Sequence, residues 1–391
     1  MFAERIIMKL PFFSEKDGRS RGELSRLLSG LLVFSLALSL WGCGFSGAED
    51  MEGSKKGGSG NDSRLAVAVT LFPYYDFVRQ VAGDRVKLEL VVPAGMDSHS
   101  FEPTPADVIK IQEADVFLYN GGHMEHWVEE VLDSLDRSQM IDVRMMDYVD
   151  VLEEELVEGM EDTEHGHDHE DGEEPGYVHD HDHEEDAAGA AETLAPGQLA
   201  EIEYDEHIWT SPVNAMTIVD VICQALCGAD PDNQAIYEAN AAAYKERLSS
   251  LDEAFRETVN AGTQDMLVVA DRFPFRYLTE TYGLSYRAAF AGCSGDTEPS
   301  ARTIAYLIDQ VREKELPAVY YLELSSHRVA EIISEETGAK PLLLHSCHNV
   351  TRQEFEEGVT YLQLMEQNVE NLRIGLGVEG PEPAGQQKEV E

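Results

Sequence analysis

The stretch Arg64–Val92, RLAVAVTLFPYYDFVRQVAGDRVKLELVV, reads as strand, helix, strand. Arg64 to Thr70 is a run of β-branched and small apolar residues bounded by polar ones, the composition of a buried strand. Tyr74 to Val81 is amphipathic at helical spacing, and Val86 to Val92 returns to strand character. Two strands separated by a helix imply a crossover, hence a parallel sheet whose functional loops lie at the carboxyl ends of its strands. The alternation continues with a helix across Pro105 to Ala114, a strand at Val116 to Tyr119 and a helix around Trp127 to Leu135.

The same alternation restarts far downstream. Strands are expected at Met266–Ala270, Ala318–Tyr321 and Pro341–Leu344, helices around Phe275–Tyr282, Ala301–Lys314 and Val329–Thr337, and a closing helix over Phe355–Leu376. Between the halves lie helical text from Pro212 to Cys227, a Gly-Ala-Asp-Pro break, and a long helix from Pro231 to about Asn260. Its apolar residues Tyr237, Tyr244, Leu248, Leu251, Phe255 and Val259 recur at three-, four- and seven-residue intervals. At 1.5 Å per residue it spans about 45 Å. The fold class expected is α/β: two lobes, each a parallel sheet flanked by helices, joined by one long linking helix. A single α/β domain with an insertion is the alternative.

The N-terminal region is of another kind. Positive charge from Arg21 to Arg26 precedes a mostly apolar run, Leu27 to Trp41, of signal-peptide length. It ends in Leu40-Trp41-Gly42-Cys43, which resembles a bacterial lipobox, so Cys43 is the expected site of lipidation and 1–43 the lipoprotein signal. Residues 44–63, rich in Gly, Ser and Lys, read as a flexible tether. The rest divides into an N-terminal lobe over 64–230, a linking helix over 231–262, a C-terminal lobe over 263–376 and a disordered tail over 377–391.

With 29 basic against 75 acidic side chains the chain carries a formal net charge of -46, which disfavours nucleic acid and anionic lipid and favours cations. The acidity is concentrated: there is no Lys or Arg from Met145 to Tyr244. Within that stretch, from about 153 to 200, the text cannot build a core and is expected to be a disordered loop. Its segment HGHDHEDGEEPGYVHDHDH holds six histidines, His165, His167, His169, His179, His181 and His183, among carboxylates. Such a loop can bind several zinc ions loosely, because flexible ligands arrange themselves around the cation at an entropic cost.

Cysteine usage adds little chemistry. Cys223 and Cys227, four apart on a helix, share a face but bridge poorly. Cys293 and Cys347 are the better pair for a disulfide in an oxidising compartment, with buried free thiols as the alternative.

Three histidines stand where a strand gives way to a loop. His99 lies in PAGMDSHSFEPTPADV (Pro93–Val108), His207 in EYDEHIWTSP beside Asp205, Glu206 and Trp209, and His345 in LLLHSCHNVT with His348 three residues later. Drawn from both halves, they can converge on one cleft. Neutral imidazole with a carboxylate suits zinc first and manganese second, whereas magnesium and calcium prefer oxygen.

Taken together, SHSFEP, NGG followed by EHW, EYDEHIWTSPVNA, ADRFPFRYL, AGCSGDTEPS and HSCHN resemble the zinc- and manganese-uptake solute-binding proteins of ABC importers, over about Arg64 to Leu376. The resemblance implies two α/β lobes bridged by a rigid helix with the metal between them, and it places family ligands on His99 and His207. Where the family usually has a His-Asp pair, this chain has Asp271-Arg272, so Asp271 is an oxygen ligand or an arginine's structural partner. Where the family usually has Asp after the last strand, this chain has His345, with His348 as its substitute if the register slips. Glu125 and Trp127 match a structural pair near the cleft, and Glu323 a recurrent acidic position. His123 and His126 are read as surface or packing residues that can help load metal, and His327 as a polar surface residue.

The resemblance implies a receptor, not an enzyme, that captures Zn2+ (or Mn2+) outside the cytoplasm and delivers it to an ABC permease with its ATPase. It would be held at the membrane by its lipid anchor, work as a monomer and contact no nucleic acid. The alternatives are a metal-buffering or adhesion lipoprotein and a zinc hydrolase. No HExxH pair supports the hydrolase.

Overall fold

A computed structural model describes residues 64–160, 203–292 and 298–378. The first lobe follows the expected alternation: β1 (Leu65–Val69), α1 (Phe72–Ala82), β2 (Val86–Leu90), α2 (Pro105–Gln112), β3 (Val116–Tyr119), α3 (His126–Ser134) and β4 (Ile141–Arg144). All pairings are parallel, in the order β2-β1-β3-β4, with Val67 and Val69 of the central strand in register with Val116 and Leu118. Strand β4 is not foreseen, because its Ile-Asp-Val-Arg text carries two charges, which at the sheet edge pair with Arg137 and Asp147.

Helices α4 (Pro212–Ala229) and α5 (Gln234–Ala261) then lead to the second lobe. It contains β5 (Met266–Phe273), α6 (Arg276–Tyr282), β6 (Ser285–Ala291), α7 (Ala301–Glu313), β7 (Ala318–Tyr321), α8 (Arg328–Thr337), β8 (Lys340–Leu343), α9 (Arg352–Glu357) and α10 (Tyr361–Gly375). Its strands are again parallel, ordered β6-β5-β7-β8. The alanine-rich β6 is a second unforeseen strand. The single closing helix expected over 355–376 is instead two. Gly358, in left-handed backbone, ends α9, and Thr360 starts α10 with a capping box to Gln363.

The linking helix α5 buries Tyr237, Ala241, Tyr244, Leu248, Leu251, Phe255 and Thr258, a repeating four-three spacing that makes one stripe. Tyr244 meets Phe77 of α1, and Phe255 stacks on Tyr282 of α6. Each such buried aromatic contributes about 2 kcal/mol. One apolar core therefore runs continuously from β1 and α1 through α4 and α5 to α10. Smaller clusters cover the outer faces, with Phe117, Trp127 and Val128 in the first lobe and Val268, Leu307 and Ile333 in the second. Helix α4 is long and apolar enough to cross a membrane, yet half of it is buried here, as a core helix requires.

The lobes are also laced together directly. Buried Asp76 of α1 accepts the Tyr361 N–H at 2.8 Å, and Arg79, paired with Asp76 at 2.6 Å, donates to the Val359 carbonyl at 2.6 Å. Phe77 lies edge-on to Tyr361 with ring centroids 4.9 Å apart.

Candidate metal centre

Three loops carry the site, and each is fixed by its own polar contacts. After β2 the chain turns at Ser98–Ser100, where the Asp97 carboxylate caps the turn by accepting the His99 N–H at 3.1 Å. Before α4, the Asp205 carboxylate accepts the His207 N–H at 2.8 Å and lies 3.3 Å from His207 Nδ1. After β8, Glu323 accepts the Ser346 N–H at 2.8 Å and also its hydroxyl, and the Ser346 hydroxyl accepts the His348 N–H at 3.2 Å. Asn349 ties this last loop to the first, donating to the carbonyls of Pro93 at 2.9 Å and Met96 at 2.7 Å. The Trp209 indole donates to the Ser346 carbonyl at 2.8 Å, bringing in the His207 segment.

These ties bring His99, His207 and His348 together. Their potential ligand atoms all lie within 4.8 Å of one another, the one such group among the described residues. Ring centroids are 6.0 Å apart for His99 and His207, 5.2 Å for His99 and His348, and 5.4 Å for His207 and His348. On a tetrahedral zinc ion with Zn–N near 2.1 Å two nitrogens lie about 3.4 Å apart, so the rings close on a shared ion by turning inward. His348 Nε2 shares a hydrogen bond with the Ser98 hydroxyl, a further tie between the His348 loop and the His99 loop.

The electrostatics suit a cation that binds neutral imidazole. Burial, then His207 and the Arg272 guanidinium, hold His99 well below the usual imidazole range. Burial, then His99 and His207, do the same for His348. Both imidazoles are neutral and offer lone pairs, the form in which histidine binds metal. Behind them Glu206 accepts the backbone N–H groups of His123 and Met124, yet burial still pushes its carboxyl up to about 7. Glycine is required at 122, because a Cβ there would lie 2.3 Å from the Glu206 carboxyl and the backbone has φ 89°.

The other expected ligands are placed differently. His345 is 2% exposed but turned away from the group. Its Nδ1 accepts the Cys347 N–H at 2.9 Å, and Asn368 of α10 holds its backbone on both sides at 2.8 Å. Left-handed backbone at Cys347 (φ 59°) then swings the chain so that His348, three residues on, faces the cleft. Asp271 lines the same cavity but is outside the group, and its carboxylate accepts the Arg272 N–H at 2.9 Å. Glu323 supports the Ser346 turn instead of reaching the group. Of the expected Cys293–Cys347 pair, Cys347 is a fully buried free thiol behind the turn, and Cys293 lies outside the described residues. Cys223 and Cys227 are free as well, with sulfurs 4.0 Å apart.

His123 and His126 are exposed at the start of α3. His327 is exposed too, but it lines the cavity mouth with its ring on Tyr321. Glu125 accepts the N–H groups of Asn120 at 2.7 Å and Gly121 at 2.9 Å, and Trp127 packs on Phe101. Cys43 and the six loop histidines from His165 to His183 lie outside the described residues. The supporting roles of Asp205 and Asn349 are not evident in the sequence as roles, although both sit in the motifs quoted for the site.

Residues 67–375 match the family model described as zinc-uptake complex component A, periplasmic (ZnuA). The chain belongs to this family. Among curated ZnuA-type relatives it is similar to the zinc-binding lipoprotein AdcA of Streptococcus pneumoniae, 35% identical over 82% of this chain and 57% of that protein. It is also similar to the high-affinity zinc uptake system protein ZnuA of Bacillus subtilis, 31% identical over 89% of this chain and 97% of that protein. The chain thus spans little more than half the length of the streptococcal relative and nearly all of the Bacillus one. Among solved structures, the Zn(II)-bound ZnuA-like domain of S. pneumoniae AdcA superimposes with a TM-score of 0.61 at 31% identity, covering 80% of this chain and 99% of that one.

Proposed function

We propose that this ZnuA-family chain is an extracytoplasmic receptor that binds one Zn2+ between its lobes and delivers it to an ABC permease and its ATPase. The observation that carries the reading is the meeting of His99, His207 and His348, from loops of both lobes, within 4.8 Å. An all-nitrogen donor set favours zinc over manganese, which prefers carboxylate and water oxygen. The relatives' names, zinc-binding lipoprotein and zinc uptake protein, point the same way. The lipobox-like text ending at Cys43 supports a membrane anchor, and the segmentation into signal, tether, two lobes and linking helix fits a monomeric receptor of this kind. The chain acts by binding and release, not by turnover. The six loop histidines from His165 to His183 serve as an auxiliary, weaker collecting site.

Metal content of the purified full chain tests this. One zinc per chain should resist mild chelation and survive deletion of Glu161 to Asp186, whereas His207→Ala should abolish it. Loss of tight binding on loop deletion, with His207→Ala unaffected, would favour a metal buffer instead.

A further inference from the structure

Helix α4 carries two thiols that the histidine group leaves unused. Cys223 is buried and Cys227 half-buried, and both are free, with sulfurs 4.0 Å apart. They line a cavity of about 390 Å³ between α4 and α5, together with Asp220 of α4 and Gln234, Glu238 and Lys245 of α5. This cavity shares no lining residue with the one that holds His99, His207 and His348.

The spacing of the thiols suits chelation and opposes oxidation. Residues four apart on a helix hold their Cβ atoms about 5–6 Å apart, whereas a disulfide needs about 3.5–4.5 Å. Joining the two sulfurs would therefore distort α4. A metal ion requires no such approach. With metal–sulfur bonds near 2.3 Å, two thiolates on a tetrahedral ion lie about 3.8 Å apart, close to the 4.0 Å observed.

Charge decides the class of ion. Asp220 is paired with Lys245 at 2.6 Å, but Glu238 receives the neutral Gln234 amide, also at 2.6 Å, and keeps its charge. Two thiolates neutralise a divalent ion, whereas a monovalent one would leave a negative complex beside that carboxylate. Thiolate sulfur in turn prefers zinc and its heavier congener cadmium to magnesium, calcium or manganese. Glu238 stands one turn beyond Gln234, whose carbonyl lies 3.9 Å from Cys227 Sγ. Its exposed side chain can swing onto the ion as a third donor.

We infer that Cys223 and Cys227 form a second metal site, a dithiolate clamp completed by Glu238 and water, which takes a divalent thiophilic cation of the zinc group. The thiols release their protons to solvent as the two metal–sulfur bonds form. The clamp is independent of the histidine centre.

Cd2+ is the probe, because thiolate ligation gives it an ultraviolet charge-transfer band that imidazole and carboxylate ligands do not. The reduced, metal-free full chain, its free thiols counted beforehand, is titrated with Cd2+ as wild type, Cys223→Ala, Cys227→Ser, Glu238→Gln and His207→Ala. The wild type should develop the band to saturation. Each cysteine variant loses the intramolecular second bond and should bind Cd2+ at this site about 100-fold more weakly or worse. Cys227 is half-buried, so Cys227→Ser should keep the circular dichroism of the wild type. Glu238→Gln should weaken the site severalfold, and His207→Ala should leave the band unchanged. No band in the wild type, a band that survives both cysteine variants, or wild-type affinity in Glu238→Gln would each overturn the inference. A disulfide mapped between Cys223 and Cys227 after exposure to air would overturn it too, making the pair a redox couple instead.

Discussion

The Asp205 carboxylate accepts both the backbone N–H of His207, at 2.8 Å, and a hydrogen bond from its Nδ1, at 3.3 Å. That contact keeps the proton on Nδ1 and turns Nε2, with its lone pair, toward the other rings. Both residues are at most 2% exposed, so no water substitutes for the carboxylate. Replacing Asp205 with Asn keeps the shape but removes the charge that makes the imidazole a stronger donor. Zinc affinity should fall about 10- to 100-fold, with circular dichroism unchanged. Competition titration against a fluorescent chelator measures it, and affinity equal to wild type would mean that Asp205 only shapes the turn.

His345 and His348 separate by role. His348→Ala removes a member of the three-ring group and should abolish tight zinc binding. His345→Ala should leave one zinc per chain, but it deprives the buried Cys347 N–H of its acceptor, at a cost of about 1–3 kcal/mol in unfolding free energy. Metal analysis and urea titration of the two variants provide the check. Zinc lost with His345→Ala and kept with His348→Ala would reverse the assignment.

The alternation of strand and helix and the long linking helix were legible because they rest on periodicity, which a linear text displays. His99 and His207 were legible because each sits in a motif beside residues that fix its turn. The choice between His345 and His348 was not, since it depends on the left-handed torsion at Cys347, which no neighbouring glycine announces. The two readings of Asp271, oxygen ligand or arginine's partner, were equally open in the text, because the contact its carboxylate makes with the Arg272 N–H within β5 appears only in three dimensions. Strands β4 and β6 escaped notice because charged and small residues at sheet positions weaken the apolar run. The break between α9 and α10 was written in Gly358 and Thr360, but the surrounding apolar spacing masks it.

The inter-lobe tie through Asn349 makes the site a property of both lobes. Asn349→Ala leaves the Met96 carbonyl without this donor and the Pro93 carbonyl with only the Met96 N–H at 3.1 Å, and should cost about 1–3 kcal/mol. Because the same amide joins the His348 loop to the His99 loop, zinc affinity should fall as well, mainly through faster release. Stopped-flow chelation measures that rate. A destabilised protein that released zinc at the wild-type rate would show the tie to be purely structural.

Glu125 provides a pH test in the first lobe. Burial is the largest influence on its carboxyl and raises it to about 7, outweighing the hydrogen bonds from Gly121 and Asn120. The unfolded chain has the ordinary value near 4.3, so between about pH 4.5 and 7 the native state binds the extra proton. Stability of the metal-free protein should therefore fall as pH rises through that window, by about 3 kcal/mol from this group. Glu125→Gln is neutral throughout and should flatten this part of the profile. Glu206, raised likewise to about 7, retains its own dependence in the variant. Urea midpoints measured from pH 5 to pH 8 provide the comparison, and parallel profiles for the two proteins would show that Glu125 titrates in its ordinary range.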